Sequence, residues 1–265
     1  MKVLIKVGGT LLDEAAGRNS IAEQLAEVGR EHQLVVVHGG GKQVTRFLEE
    51  RGVSSRFVEG LRVSDEAVID AVTKVIAGSV NTQFVSALIA AGASAVGLSG
   101  VDGTLTSAGQ MRPELGFVGK PHKTEPRLLN LLLSAGYVPV VACVAGDHRG
   151  NVYNVNADQM AVSCATGWKA ERLLFLTDVP GVKGRDGVVI PQLAAHQIGE
   201  LVASKIAHGG MQAKLEAAAA ALDGGLEEVI VAGGQESDIC QRLMRGELTG
   251  TRLLPNAVAA ESSQA

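Results

Sequence analysis

Two short runs of glycine stand where anion chemistry would need them. Ile5-Lys6-Val7-Gly8-Gly9-Thr10 and Val37-His38-Gly39-Gly40-Gly41-Lys42 each end an apolar, strand-like stretch, and the second leads into a helical pattern. Without a Cβ, successive peptide N–H groups can turn toward one oxyanion, and at a helix N-terminus the helix dipole adds to their pull. Phosphate and carboxylate are the ligands such a pair of nests would take, although either run alone could be a tight strand-to-helix turn. Lys6 lies just inside the first strand's end, in an otherwise apolar run. An ammonium group there is costly to bury unless it faces a cleft and meets an anion. Lys214, in Gly209-Gly210-Met211-Gln212-Ala213-Lys214, falls just inside a second predicted helix start, and read alone it is a solvated surface lysine. Asn154-Val155-Asn156-Ala157-Asp158 gathers two amides and a carboxylate around a strand-to-helix turn. Only one residue can be the N-cap, so at least one other contacts a ligand or orients a lysine. Arg62, in Gly60-Leu61-Arg62-Val63, could fork onto a carboxylate. Asp178-Val179-Pro180-Gly181-Val182-Lys183 closes a further apolar run and by itself is a Pro-Gly turn.

Other chemistries lack their residues. There is no G-x-x-x-x-G-K-[ST] and no G-x-G-x-x-G opening the first helix, so the P-loop and dinucleotide fingerprints are both missing. The six histidines, His32, His38, His122, His148, His196 and His208, show no zinc spacing, and no G-x-S-x-G elbow is present. Cys143, Cys164 and Cys240 are odd in number and widely spaced in apolar or helical contexts, which suits reduced, buried thiols and a cytoplasmic protein. The charge balance, 24 basic against 28 acidic side chains, and the 3% aromatic content speak against a nucleic-acid or anionic-membrane partner. No signal peptide or membrane-spanning run is expected, because the apolar strand begins at residue 2 and no apolar stretch reaches the ~20 residues of a span.

The elements that must position these residues alternate. Continuous apolar runs at Val3 to Val7, Leu34 to Val37, Ala95 to Leu98, Val138 to Val144, Arg172 to Leu176 and Glu228 to Val231 predict strands covered on both faces. Between them, periodicity predicts helices at about 14–31, 42–51, 65–77, 80–91, 125–135, 157–168, 194–203 and 210–223. Ser64, Asn156 and Asp178 fall where caps or turns are wanted. This alternation predicts an α/β fold, a three-layer αβα sandwich with a mainly parallel sheet. The stretch Gly103 to Lys123 reads as turn-rich. A change of character near residue 150 divides the chain into an N-terminal lobe (1–150) and a C-terminal lobe (151–254), with a small, polar and mobile tail at 255–265. In open α/β sheets ligands sit at the carboxyl ends of strands, where the glycine clusters fall.

Taken together, Lys6-Val-Gly-Gly9, His38-Gly-Gly-Gly41, Gly60-Leu-Arg62-Val, Asn154-Val-Asn-Ala-Asp158, Thr177-Asp-Val-Pro-Gly181 and Gly210-Met-x-x-Lys214 resemble the N-acetylglutamate kinases in order and spacing along nearly the whole chain. The first Lys-x-Gly-Gly and the Asp-Val-x-Gly turn are shared across the wider amino acid kinase superfamily; the triple glycine, Gly-Leu-Arg-Val and Asn-Val-Asn-Ala-Asp resemble the N-acetylglutamate member in particular. The resemblance implies transfer of the ATP γ-phosphoryl group to the side-chain carboxylate of N-acetyl-L-glutamate, in arginine biosynthesis, with Mg²⁺ bound through the ATP phosphates rather than by protein ligands. By the same resemblance, Lys6 and Lys214 stabilise the transferring group, Asp158 holds both lysines, and Gly8, Gly9 and Gly40 give backbone donors. Gly40, Gly41, Arg62 and Asn154 bind the acceptor. Asp178, Val179, Pro180, Gly181, Val182, Lys183, Ile206, Ala207 and His208 contact ATP. It further implies a homodimer built through helices near residues 65–91 and an adjoining strand. Because hexameric, arginine-inhibited members carry an extra helix before the first strand, insensitivity to arginine is expected too. A kinase of the same fold acting on carrier-protein-linked aminoadipate or glutamate is the nearest alternative. A non-catalytic regulatory module would have lost Lys6, Lys214 or Asp158, and a Rossmann oxidoreductase needs a glycine fingerprint that is absent.

Overall fold

The computed structural model describes residues 1–256. In chain order the elements begin β1 (Lys2–Val7), α1 (Ala15–Glu31), β2 (Gln33–His38), α2 (Gly41–Glu49), β3 (Phe57–Val58), β4 (Leu61–Arg62), α3 (Glu66–Val72), α4 (Asn81–Ala90) and β5 (Ala95–Ser99). They continue with β6 (Thr106–Gln110), β7 (Val118–Thr124), α5 (Arg127–Ser134), β8 (Val138–Ala142), β9 (Val144–Gly146), β10 (Val152–Val155), α6 (Ala157–Trp168) and β11 (Arg172–Thr177). The last are β12 (Gln192–Ala194), α7 (Ala195–Ala203), α8 (Gly209–Asp223), β13 (Glu228–Gly233), α9 (Ile239–Met244) and β14 (Thr251–Leu254).

Eight strands form one sheet in the order β12-β14-β13-β11-β1-β2-β8-β5, parallel throughout except for the antiparallel β13–β14 pair. The apolar runs are buried along nearly their whole length in β1, β2, β8, β11 and β13, as expected where helices cover both faces. On one side α1 packs with α4 and α9; on the other, α6 packs with α8, β1 and β11. Register places Val7 opposite both His38 and Leu176, and His38 opposite Ala142. The Gly8-Gly9 turn, the triple glycine, Cys143 and Asp178 therefore leave the sheet along one carboxyl edge.

The strand expected over Val138 to Val144 divides at Cys143. Its first part is β8 of the main sheet, and its second is β9 of a small closed barrel, β10-β7-β6-β9. The stretch Gly103 to Lys123 holds two of that barrel's strands rather than turns alone. Their signal is weak because Pro121 sits where the β6–β7 register shifts, at a bulge that needs no N–H from it. Residue 150 lies in the β9–β10 hairpin, inside this barrel, while the main sheet takes strands from both sides of that position.

The two helices expected at about 65–77 and 80–91 are one run from Glu66 to Ala90, joined through π-helical turns at Thr73–Val80. This run is long and apolar enough to cross a membrane, but its apolar side chains Val68, Val72, Ile76, Phe84 and Leu88 are buried inside the protein. Ser64 is not its cap: Asp65 is, its carboxylate accepting from Val68 N at 2.9 Å. β3, β4, β12, α9 and β14 carried too few periodic residues to be anticipated. The expected tail at 255–265 lies mostly outside the described residues. Within them, Asn256 is tied down, its Oδ1 accepting from the backbone N–H of His196 at 2.9 Å at the start of α7.

Trp168, the chain's one tryptophan, ends α6 in full burial, with Nε1 donating to Asn130 Oδ1 at 3.1 Å and Lys2 lying over its ring. Trp168→Ala should lower the unfolding free energy by about 3–5 kcal/mol, read by urea titration followed by circular dichroism.

Candidate active site

α6 starts directly beneath the carboxyl ends of β1 and β2. Asn156 caps it, its Oδ1 accepting from the N–H groups of Asp158 (2.9 Å) and Gln159 (3.2 Å). That leaves the Asp158 carboxylate, in the first turn, free to face the sheet edge. One oxygen meets Lys6 Nζ at 2.8 Å and the other meets Lys214 Nζ at 3.1 Å. Three ionised groups from β1, α6 and α8 thus share one nearly buried point, with Lys6 and Asp158 each 6% exposed. Burial works to raise the Asp158 pKa, but Lys6 and then Lys214, through charge and hydrogen bonds, hold it below the ordinary carboxylate value. The triad carries two positive charges against one negative. Lys214, unremarkable as an isolated residue, acquires its meaning from this contact.

Beside the triad opens a cleft of about 230 Å³. Lys6, Gly9, Gly40, Gly41, Arg62 and Asn154 all line it, together with the apolar side chains of Val72 and Ile76. The two glycine turns touch: a Cβ on Gly9 would lie 3.2 Å from Gly40 N, and one on Gly40 would lie 3.1 Å from Ile76 Cγ1. The opening turn of α2 at Gly41 presents its unpaired N–H groups at this place. Arg62 Nη2 donates to Gly41 O (2.8 Å) and Thr45 Oγ1 (2.7 Å), Nη1 donates to Ser55 Oγ, and the guanidinium carbon lies 4.7 Å from the centre of the Phe57 ring. Burial lowers the Arg62 pKa while Glu49 opposes it. Both Nη2 hydrogens are engaged and either bidentate fork of a guanidinium uses one of them, so a carboxylate forking onto Arg62 must displace Thr45 Oγ1 or Gly41 O. These are neutral acceptors that a charged one outcompetes. Asn154 Nδ2 donates to Ser64 Oγ at 3.1 Å, and Ser64 Oγ donates to Arg62 O at 2.8 Å. Ser64, Thr45 and Ser55 are site residues that sequence reasoning missed. Their partners lie up to 90 positions away, and no local pattern marks a hydroxyl as a prop.

Some expected contacts are revised. Gly8 N donates to Leu176 O at 2.9 Å as the last rung of the sheet, so its N–H is not available to a ligand. Val182 and Ala207 are buried in the core, and a Cβ on Gly181 would strike Val189 and Thr251. All three are buried as whole residues, and the Val182 backbone is already paired, its N–H donating to Thr251 Oγ1 at 2.9 Å and its carbonyl accepting from Ile190 N at 2.8 Å. Asp178, Val179, Pro180 and Lys183 are exposed on the loop after β11, and Thr177 Oγ1 donates to Asp178 Oδ1 at 3.1 Å. Half-buried Ile206 and exposed His208 lead into α8, the helix that carries Lys214.

The thiols are held out of the chemistry by burial, which pushes Cys143 up to about 12, Cys164 to about 11 and Cys240 to about 12. Burial likewise pushes the His38 imidazole down to about 4, with the Gly39 carbonyl opposing. Among the described residues no three His, Cys, Asp or Glu side chains cluster as a metal site. Asp158 is spent on its lysines, so this donor set suits a divalent ion carried in on phosphate oxygens.

The cleft lined by the two glycine turns, beside two lysines clamped by one carboxylate at the carboxyl edge of an open α/β sheet, gathers the fixed positive charge that an anionic ligand requires. The amino acid kinase family model matches residues 1–233, and the chain belongs to that family. The acetylglutamate kinase of Solibacter usitatus (strain Ellin6076) is 54% identical over 255 residues, covering 96% of this chain and 99% of that protein. The acetylglutamate kinase of Acidobacterium capsulatum is 39% identical, with coverage of 96% and 99%. Among solved structures, N-acetylglutamate synthase from Neisseria gonorrhoeae, complexed with coenzyme A and N-acetyl-glutamate, aligns with a TM-score of 0.85 at 25% identity. The alignment covers 96% of this chain and 59% of the synthase. Giardia carbamate kinase, at 13% identity with coverage of 96% and 99%, shares the fold with a TM-score of 0.71.

Replacing Asp158 by Asn would leave two buried ammonium groups facing each other. At pH 7 it should cost about 3–5 kcal/mol of stability, in the range for breaking a buried ion pair. Because the native carboxyl pKa is depressed, the wild type keeps this contribution above the ordinary carboxylate range and loses it as pH falls through the native value. Urea titrations of both proteins should therefore converge on acidification.

Proposed function

We infer that this chain is an ATP-dependent acetylglutamate kinase, transferring the γ-phosphoryl group to the side-chain carboxylate of N-acetyl-L-glutamate to give N-acetyl-L-glutamyl 5-phosphate. The observation that carries the reading is the Lys6–Asp158–Lys214 triad at the mouth of a cleft lined by Gly40, Gly41, Arg62 and Asn154. The 54% identity over nearly the full length to an acetylglutamate kinase supports it.

The chemistry suits these side chains. A glutamate side-chain carboxyl, with an ordinary pKa of ~4.3, is ionised at neutral pH and attacks without a general base. The barrier lies in bringing a carboxylate against an already anionic phosphoryl group, so fixed positive charge and positioning supply the catalysis. Lys6 and Lys214 offer ammonium groups to the transferring phosphoryl oxygens, and Asp158 keeps both aimed without cancelling their charge. The N–H group of Gly9 adds a neutral donor that costs no reorganisation, and that of Gly40 meets the acceptor. Arg62 takes the acceptor's α-carboxylate, and Asn154, braced by Ser64, meets its amide. Val72 and Ile76 give the acetyl group an apolar wall and keep water from the acyl phosphate. Mg²⁺ bound to the ATP phosphates would supply further neutralisation of phosphate charge. ATP lies over the C-terminal half, against the exposed Asp178, Val179, Pro180 and Lys183 of the loop after β11 and the approach to α8 at Ile206 and His208.

A homodimer in the cytoplasm accords with this biosynthetic role. Its support is the position of β5 at the sheet's edge and the exposure of Ile89 on the neighbouring α4.

The test is an ATP- and Mg²⁺-dependent assay that traps the acyl phosphate with hydroxylamine. N-acetyl-L-glutamate should yield hydroxamate, whereas free glutamate, aspartate, N-acetylaspartate and 2-aminoadipate should not. Lys6→Ala and Lys214→Ala should each lower kcat by about 100-fold or more. Arg62→Lys should raise the KM for N-acetyl-L-glutamate by about 10-fold or more at nearly unchanged KM for ATP. Wild-type rates in either lysine variant would overturn the catalytic assignment.

A further inference from the structure

His38 is a fully buried imidazole at the end of β2, immediately before the triple glycine, and the chemistry above leaves it unused. Its two ring nitrogens are both engaged, Nδ1 with Gly39 O and Nε2 with Asn81 Nδ2, each at 2.9 Å. The direction of these bonds follows from Asn81. Its amide nitrogen also meets Val140 O at 3.0 Å and Leu98 O at 3.4 Å, and carbonyl oxygens only accept. Asn81 Nδ2 is therefore the donor to Nε2, the ring hydrogen resides on Nδ1, and Nδ1–H donates to Gly39 O.

That last bond fixes a peptide plane. In a trans peptide the carbonyl oxygen and the following N–H point in opposite directions, and no cis bond is present among the described residues. Pulling Gly39 O toward the imidazole turns Gly40 N–H the other way, toward the cleft that Gly40 lines. Asn81 is itself seated. It opens α4 directly after the π-helical turns whose Ile76 and Val80 close over Gly40, and a Cβ on Gly97 of β5 would lie 2.0 Å from its Oδ1. Glycine at position 97 leaves the space that the amide occupies. Phe84 meets the imidazole edge-on, with ring centroids 6.0 Å apart.

We propose that Asn81 and His38 form a positioning relay that aims Gly40 N–H into the acceptor cleft, so that this pair governs affinity for the N-acylated acceptor rather than ATP binding or the rate of transfer. The proposal rests on the functional reading above. His38 touches no reactant and acts only through Gly39 and Gly40.

Two amide variants separate the links of the relay. His38→Asn places an amide N–H where Nδ1–H was and keeps the bond to Gly39 O. His38→Gln reaches Asn81 but cannot also hold Gly39. Steady-state kinetics with N-acetyl-L-glutamate and ATP should show the acceptor KM raised about tenfold in His38→Gln and less than about threefold in His38→Asn. The ATP KM and kcat should stay within about twofold in both. Circular dichroism melting of each variant normalises the rates to folded protein. Equal acceptor KM values in the two variants, the reverse order, or an ATP KM that rises in step with the acceptor KM would overturn the relay. The wild type is measured first: if it binds ATP but forms no hydroxamate from N-acetyl-L-glutamate, the functional reading fails instead. Calorimetric titration of the acceptor cleft with N-acetyl-L-glutamate then shows separately whether the variants differ in binding.

Discussion

Asp158 sits at the one place where β1, α6 and α8 must agree. Its two carboxylate oxygens are divided between Lys6 and Lys214, and all three groups are largely removed from water. Burying one such pair is rarely favourable, because desolvation of each ion offsets most of the attraction. The arrangement makes sense as preorganisation. On the proposed function the surplus positive charge is held ready where a phosphoryl group would pass, and the carboxylate prevents the two ammonium groups from repelling each other out of position. Much of the surrounding structure serves that point: the parallel register that levels Val7 with His38 and Leu176, the Asn156 cap that starts α6 beneath them, and the side-to-side packing of α6 and α8.

The glycines solve a different problem. Gly9 and Gly40 come so close that any side chain would separate the two turns, so the cleft's floor is built from backbone. A floor of peptide groups offers donors without side-chain entropy to lose, but it has no internal means of choosing its orientation. The surrounding hydroxyls and amides supply that choice, with Ser64 bracing Asn154 and Thr45 and Ser55 holding Arg62. The apolar π-helical segment shapes the remaining wall. π-Helical turns are rare and are found frequently at functional sites.

The α/β class and the carboxyl-edge site were legible because the main-sheet strands are continuous apolar runs and the glycines follow them directly. That three polar residues cannot all cap one helix left at least one of Asn154, Asn156 and Asp158 to contact a ligand or orient a lysine without saying which; the resemblance pointed to Asp158, whose carboxylate meets Lys6 and Lys214, and α6 itself spans Ala157–Trp168. The barrel was not legible. Thr106–Gln110 and Val118–Thr124 are rich in Gly, Pro and polar residues, and they become strands only by closing on β9 and β10. Position, rather than composition, likewise decided Gly8. The register of β1 against β11 consumes its N–H, which no inspection of a Gly-Gly pair could reveal. The continuous Glu66–Ala90 run was read as two helices because π-helical turns break the 3.6-residue period without ending the helix.

The proposed mechanism depends on where the two lysines point when the reaction is under way. The most direct measurement is a crystal structure of the chain with N-acetyl-L-glutamate, MgADP and aluminium fluoride as a mimic of the phosphoryl group in flight. Both Lys6 Nζ and Lys214 Nζ should lie within hydrogen-bond distance of the fluoride ligands, with Asp158 still between them and the acceptor carboxylate in line with the leaving oxygen. Either ammonium group directed away from the fluoride, or the acceptor seated outside the cleft of Gly40, Arg62 and Asn154, would contradict it.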